Sequence, residues 1–168
     1  MFFVPGFYPT NSNAPLRLTS GSPFKFASPG LGRQNSLLVD TIELFGPQYA
    51  PDSFILYLQD ASNNITIYEH IWLAQLGLLI TIPTLLPDIL LYHEDADMLF
   101  FIELVTMHGP IVQQRKYALE ALGRKVKTRR VYISVFFSYT DFTPHAPSIA
   151  WDSCVWMAQI PDHIIYYQ

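Results

Sequence analysis

Cysteine is nearly absent: Cys154 stands alone in 168 residues. One thiol excludes an internal disulfide, a cysteine zinc cluster and a CxxC redox pair. Its setting, Ala150-Trp151-Asp152-Ser153-Cys154-Val155-Trp156, assigns it to the interior as a small apolar side chain. A reducing, cytoplasmic compartment fits this usage. Charge is scarce as well, with 14% of residues charged against 50% apolar and 15% aromatic. That balance excludes a disordered chain and suits one domain with a sizeable core. No basic stretch flanks Met1-Phe2-Phe3-Val4, which meets Pro5-Gly6 too early for a secretory leader. The longest apolar stretch, Ile71 to Leu86, is interrupted by Gln75, Thr81, Pro83 and Thr84. A membrane span is therefore not expected. No internal repeat is present.

A net charge of −4 argues mildly against nucleic acid, but the distribution argues the other way. Arg115, Lys116, Arg124, Lys125, Lys127, Arg129 and Arg130 are seven of the ten Lys and Arg residues. They crowd one local stretch that could meet a phosphate backbone. The blander reading of Lys125, Lys127, Arg129 and Arg130 is a solvated loop.

Pattern and punctuation give the elements. Residues 1–33 are rich in Pro, Ser, Asn and Gly, with Leu16-Arg17-Leu18 and Phe24-Lys25-Phe26 able to pair about Ser20-Gly21-Ser22. Gln34 to Phe45 carries helical spacing and should stop at Gly46-Pro47. Phe54 to Leu58 is a strand, residues 61–64 a polar turn, and Tyr68 to Leu78 a second helix ending at Gly77. Pro87 to Tyr92 and Met98 to Thr106 form strands joined tightly across His93 to Asp97, hence antiparallel neighbours. A helix from Ile111 to Leu122 is capped by Gly123. Strands over Arg130 to Phe137, Cys154 to Ala158 and His163 to Tyr167 complete the chain. The expected class is α/β (α+β), a central mixed β-sheet flanked by helices.

Two acids carry the chemistry. Asp88 opens one apolar strand and Glu103 interrupts another, fifteen positions later. A carboxylate in such surroundings is costly unless compensated, and a divalent metal is one compensator. Asp88, Glu103 and the Leu104 carbonyl would supply hard oxygen ligands to one Mg²⁺, which suits phosphodiester hydrolysis. The pattern Pro-Asp…(Asp/Glu)-X-Lys would place a lysine at residue 105, where this chain has Val105. Lys116, Arg115 and His108 are candidates for the missing cation. The bland alternative makes Asp88 a turn residue and Glu103 a solvent-facing residue on a sheet edge. Glu69, on the helix preceding these strands, is a further candidate carboxylate. The second Pro-Asp pair, Pro161-Asp162, has no suitably spaced acid after it.

A resemblance covers residues 16–168 in order. Pro87-Asp88-Ile89-Leu90-Leu91-Tyr92 followed by Leu99-Phe100-Phe101-Ile102-Glu103-Leu104-Val105-Thr106-Met107-His108-Gly109-Pro110 resembles the catalytic core of BsuBI/PstI-type restriction endonucleases. Phe45-Gly46-Pro47-Gln48-Tyr49-Ala50-Pro51, Ile149-Ala150-Trp151-Asp152, Val155-Trp156-Met157-Ala158 and Pro161-Asp162-His163-Ile164-Ile165 resemble the same family. The resemblance implies the PD-(D/E)XK fold, with 34–168 as catalytic domain and 1–33 as an N-terminal extension. It implies a type II enzyme of a restriction-modification system that cuts a short palindrome in double-stranded DNA with Mg²⁺. A homodimer would then place one active site on each strand. Carried over, the resemblance makes Asp88 and Glu103 the metal-binding catalytic acids. The residues themselves add Leu104 as a metal ligand, Lys116 and His108 as catalytic candidates, and Arg115, Lys116, Arg129 and Arg130 as candidate DNA contacts. The sequence departs from the family at Gln59-Asp60, where Gly-Asp is usual, and at Phe136-Phe137-Ser138-Tyr139. Family members also carry a helical N-terminal region not seen here, so the alternative is a truncated, inactive remnant that at most binds DNA. A small interaction protein is the rival from another class.

Overall fold

A computed structural model of the chain describes residues 12–26, 33–60, 65–78, 86–106 and 108–168. Seven strands form one sheet in the order β2-β1-β3-β4-β5-β6-β7. They are β1 (Phe54–Gln59), β2 (Ile65–Tyr68), β3 (Ile89–His93), β4 (Met98–Leu104), β5 (Arg129–Phe136), β6 (Ser153–Met157) and β7 (Ile164–Tyr167). β4, β5 and β6 run parallel, and every other neighbouring pair is antiparallel. The mixed sheet expected from the sequence is present. So is the tight antiparallel β3–β4 pair.

The middle strands read as continuous apolar runs because both faces are covered. On one face, α1 (Arg33–Asp40) and the turns that follow pack Leu37, Leu38, Ile42 and Phe45 against Ile89, Leu91, Phe100, Ile102, Ile133 and Trp156. Phe45 touches both Phe100 and Trp156 edge-on. Burying each such ring contributes about 1.5–3 kcal/mol. On the other face, α3 (His70–Leu76) and α4 (Gln113–Leu122) cover Leu56, Tyr57, Leu90, Leu99, Phe101 and Tyr132 through Leu73 and Leu119.

The expected N-terminal hairpin forms about Ser20-Gly21-Ser22: Phe24 N–H donates to the Leu16 carbonyl at 2.9 Å, and Leu18 N–H to that of Ser22 at 2.9 Å. Arg17 joins it to the sheet, donating from its backbone N–H to the Ser53 carbonyl at 2.8 Å. Leu16 is buried in the main core.

Two expected boundaries need correction. The first helix does not stop at Gly46-Pro47. It widens to a π-helical turn over Thr41–Phe45 and continues as α2 (Gly46–Tyr49), with Pro47 at the start of that segment. A proline is tolerated where its missing N–H has no helical acceptor waiting, and the wider turn supplies that room. The second helix begins later than Tyr68, because Ile65–Tyr68 is the edge strand β2, paired with β1. The run Ile65-Thr66-Ile67-Tyr68 is β-branched and aromatic, the signal that identifies it. Gly77 ends α3 as expected, with φ at 104° and its Cα so close to the Lys125 carbonyl that a Cβ would sit 2.7 Å from that oxygen. The polar turn at 61–64 lies outside the described residues. No described helix is long and apolar enough to cross a membrane.

Candidate active site

The β3–β4 register decides how the two acids meet. Ile89 pairs with Ile102, so one step earlier Asp88 falls opposite Glu103. Directly opposed residues of an antiparallel pair share a face with Cβ atoms about 5 Å apart. Alternation puts both acids on the α3/α4 face, with Leu90, Leu99 and Phe101. Asp88 is locked to the facing strand: its Oδ2 accepts from Leu104 N–H at 2.8 Å, and its carbonyl accepts from Gln59 N–H at 2.9 Å. A strand residue points its N–H and C=O the same way, so the Leu104 carbonyl also faces the Asp88 side. That oxygen accepts from Thr106 N–H at 3.1 Å.

Glu103 is buried at 7% exposure on a central strand, not solvent-facing on an edge. The bland alternative for it therefore fails. Its partner is Arg115 in the first turn of α4, whose Nε and Nη2 both reach Oε1, at 2.7 and 2.6 Å. Arg115 Nη2 also lies 3.3 Å from the Leu86 carbonyl. Burial pushes the Glu103 carboxyl up to about 7, opposed by the Arg115 guanidinium and assisted by nearby Asp88. Burial likewise raises the Asp88 carboxyl, against the pull of Leu104 N–H, His108 and Arg115. The physical content is a buried site with two carboxylates and one guanidinium, short of positive charge.

A cleft of about 660 Å³ opens over the pair, lined also by Tyr57, Gln59, Ile65, His108, Pro110 and Val112. The chain crosses its rim on an anchored loop: Ile111 N–H donates to the buried Ser134 Oγ at 2.9 Å, and Ala150 N–H to the Ile111 carbonyl at 2.9 Å. Ser134 stands opposite Glu103 on β5. A cation fits this donor set. Among the described residues Asp88 Oδ1 and Glu103 Oε2 carry no hydrogen bond, and both are hard oxygens of residues that line one cleft. The described residues hold no group of three His, Cys, Asp or Glu side chains, so a third ligand would have to be a carbonyl such as that of Leu104.

The remaining candidates separate. His108 lies exposed on the cleft wall, near enough to Asp88 to influence its charge. Lys116 does not reach the acids: it is buried, with Nζ 3.1 Å from Glu120 and 5.6 Å from the centre of the Tyr132 ring. Adjacent helix positions point about 100° apart, which separates Lys116 from Arg115. Arg129 and Arg130 start β5, level with Met98 and Leu99, roughly 13 to 16 Å along the strands from Glu103. Arg130 Nη1 donates to the Gly123 carbonyl at 2.9 Å, tying down the end of α4. The basic stretch is thus not one surface over the acids. Glu69 precedes α3 and does not line the cleft. Tyr57 and Gln59, bonded to each other at 3.1 Å, do line it. Sequence reasoning passed over both, although Gln59 marked a departure from the family pattern. Val105 packs against an apolar cluster with Phe136, Phe142 and Met157 and does not line the cleft.

Such a sheet, with an acid at each of two facing positions of its central antiparallel pair, defines a restriction-endonuclease-like α/β fold. A solved structure of SdaI restriction endonuclease shares it, with a TM-score of 0.76 and 30% identity over 83% of this chain and 44% of that one. The BsuBI/PstI restriction endonuclease domain model matches residues 15–168, and the chain belongs to that family. It is 28% identical to type II restriction enzyme BsuBI of Bacillus subtilis, over 91% of this chain and 48% of that enzyme. It is 30% identical to type II restriction enzyme AplI of Arthrospira platensis, over 48% of this chain and 25% of that one. The chain thus spans about half the length of these relatives, or less.

Proposed function

We propose that this domain hydrolyses phosphodiester bonds of double-stranded DNA at a short palindrome, as a type II restriction endonuclease of a cytoplasmic restriction-modification system. What supports the reading, besides family membership, is one observation: Asp88 and Glu103 face each other across β3 and β4 in a cleft where two carboxylates meet a single guanidinium, that of Arg115. Asp88, Glu103 and the Leu104 carbonyl would hold Mg²⁺. There the ion would polarise a phosphoryl oxygen and lower the pKa of an attacking water. The chain's own residues do the rest. Leu104 N–H keeps Asp88 from rotating out of line, and Arg115 keeps Glu103 in a single orientation. His108, on the cleft wall, would carry a proton to or from bulk water. The α4 N-terminus opens beside the cleft with no side-chain cap, and its N–H groups favour an approaching phosphate. A palindromic site calls for a two-fold dimer.

A second reading, a domain that binds duplex DNA without cutting it, draws on Val105, where the family pattern expects a lysine. One experiment separates the two. The purified chain is incubated with plasmid and Mg²⁺, with a chelator control, and any new ends are sequenced. Discrete metal-dependent ends carry the proposal. Retardation of DNA in a gel with no ends carries the second reading instead.

A further inference from the structure

The geometry points to Arg115 as the cation that supplies the charge missing at Val105, a catalytic residue that touches the scissile phosphate. This rests on the hydrolytic reading above and deepens it. Arg115 is the one Lys or Arg side chain among the described residues lining the cleft. Its side chain is 28% exposed, so it reaches solvent-accessible space that buried Lys116 does not. Nε and Nη2 converge on a single oxygen of Glu103, which leaves Oε2 for another ligand. Nη1 carries no hydrogen bond among the described residues. A guanidinium presents five N–H donors in a rigid plane, so it can hold a carboxylate with one edge and offer another to an anion.

Position makes this more than an ion pair. Arg115 comes from α4 and reaches Glu103 from the helix layer, whereas a lysine at residue 105 would come from the end of β4. The charge is the same and the element different. Val105 is then free to pack among Phe136, Phe142 and Met157, which closes that end of the core. Arg115 Nη2 also lies 3.3 Å from the Leu86 carbonyl, two residues before Asp88, so one guanidinium sits close to the backbone of both acid-bearing segments. A mere surface pair would not show such convergence, nor approach a buried carboxylate so closely.

The test uses the full chain with Arg115→Gln and Arg115→Lys. Single-turnover plasmid cleavage is measured beside Mn²⁺ affinity by calorimetry. R115Q should cut about a hundredfold more slowly, the usual cost of one charge-stabilising donor. It should bind Mn²⁺ as tightly as wild type or more tightly, because a neighbouring positive charge has gone. R115K, which restores charge without the fork, should recover part of the rate. Cleavage by R115Q within threefold of wild type overturns the assignment. Loss of Mn²⁺ binding together with cleavage overturns it too, since Arg115 would then only hold Glu103 in place. A wild-type chain that cuts nothing sinks the hydrolytic reading. Arg115 is in that case judged by duplex binding in Ca²⁺, where R115Q should lower the salt slope by about one. An unchanged slope, or no binding, overturns the proposal.

Discussion

The two faces of the sheet were built from similar strands and put to different use. Under α1, Ile89, Leu91, Phe100, Ile102 and Trp156 form an apolar layer. Under α3 and α4 the sheet carries Leu90, Leu99 and Phe101 in the same alternation, then breaks it with Glu103. The two charged residues buried among the described ones, Glu103 and Lys116, both belong to this second face. Each has its own oppositely charged partner, Arg115 and Glu120 respectively. One face stores stability, and the other spends some of it on a desolvated acid pair.

The contrast can be broken in graded ways. Removing Asp88 as D88A should reduce plasmid cleavage about a thousandfold or more while Tm moves only a few degrees. A D88A protein that cuts at the wild-type rate would remove that acid from the chemistry. On the opposite face, Trp156→Ala empties a fully buried site and breaks the 2.9 Å bond from its indole to the Pro161 carbonyl. Urea unfolding should show a loss of about 3–5 kcal/mol. A loss below 1 kcal/mol would mean that this face is not where the stability resides.

Glu103 gives a pH signature. Its carboxyl binds a proton more tightly folded than unfolded, so the metal-free protein draws most stability from this group below pH about 4.5. It loses stability as pH rises through about 7. The loss should be about 3 kcal/mol, and Asp88, raised in the same direction, adds to it. Unfolding free energies across that window should fall in wild type and stay flatter in Glu103→Gln. Parallel curves would show that Glu103 pays no desolvation cost. The smallest effect belongs to Lys116→Met, which replaces a buried ammonium over Tyr132 with an apolar chain of similar length. Stability should change by about 1 kcal/mol or less, since Glu120 is partly exposed and can be hydrated. Cleavage should not change at all. A large loss of rate would return Lys116 to the site.

Much of the fold could be read in advance where local signals were strong. The β3–β4 hairpin was legible because an acidic turn separates two runs too apolar to be anything but buried strands. Gly77 was legible as a helix end because its left-handed φ is a local requirement. Pro47 misled because a proline reads as a stop. Whether the helix survives it depends on a widened turn that packing against the sheet holds in place. The strand Ile65–Tyr68 was missed, with Tyr68 assigned to the next helix, since four residues carry too little periodicity to outweigh the apolar stretch behind them. At the site, Asp88 and Glu103 were conspicuous as acids in apolar runs. Arg115 and Lys116, adjacent and alike in charge, were indistinguishable.

Composition, strand alternation and the placing of two carboxylates in apolar runs are properties of the chain order, and they alone selected a mixed α/β sheet with an acid pair at its centre. Which cation meets that pair is a different kind of fact. It depends on the rotation of α4 about its axis and on the parallel offset of β5, which carries Arg129 and Arg130 to the far end of the sheet. Charges act through distance, and distance between residues remote in sequence exists only after the layers have packed.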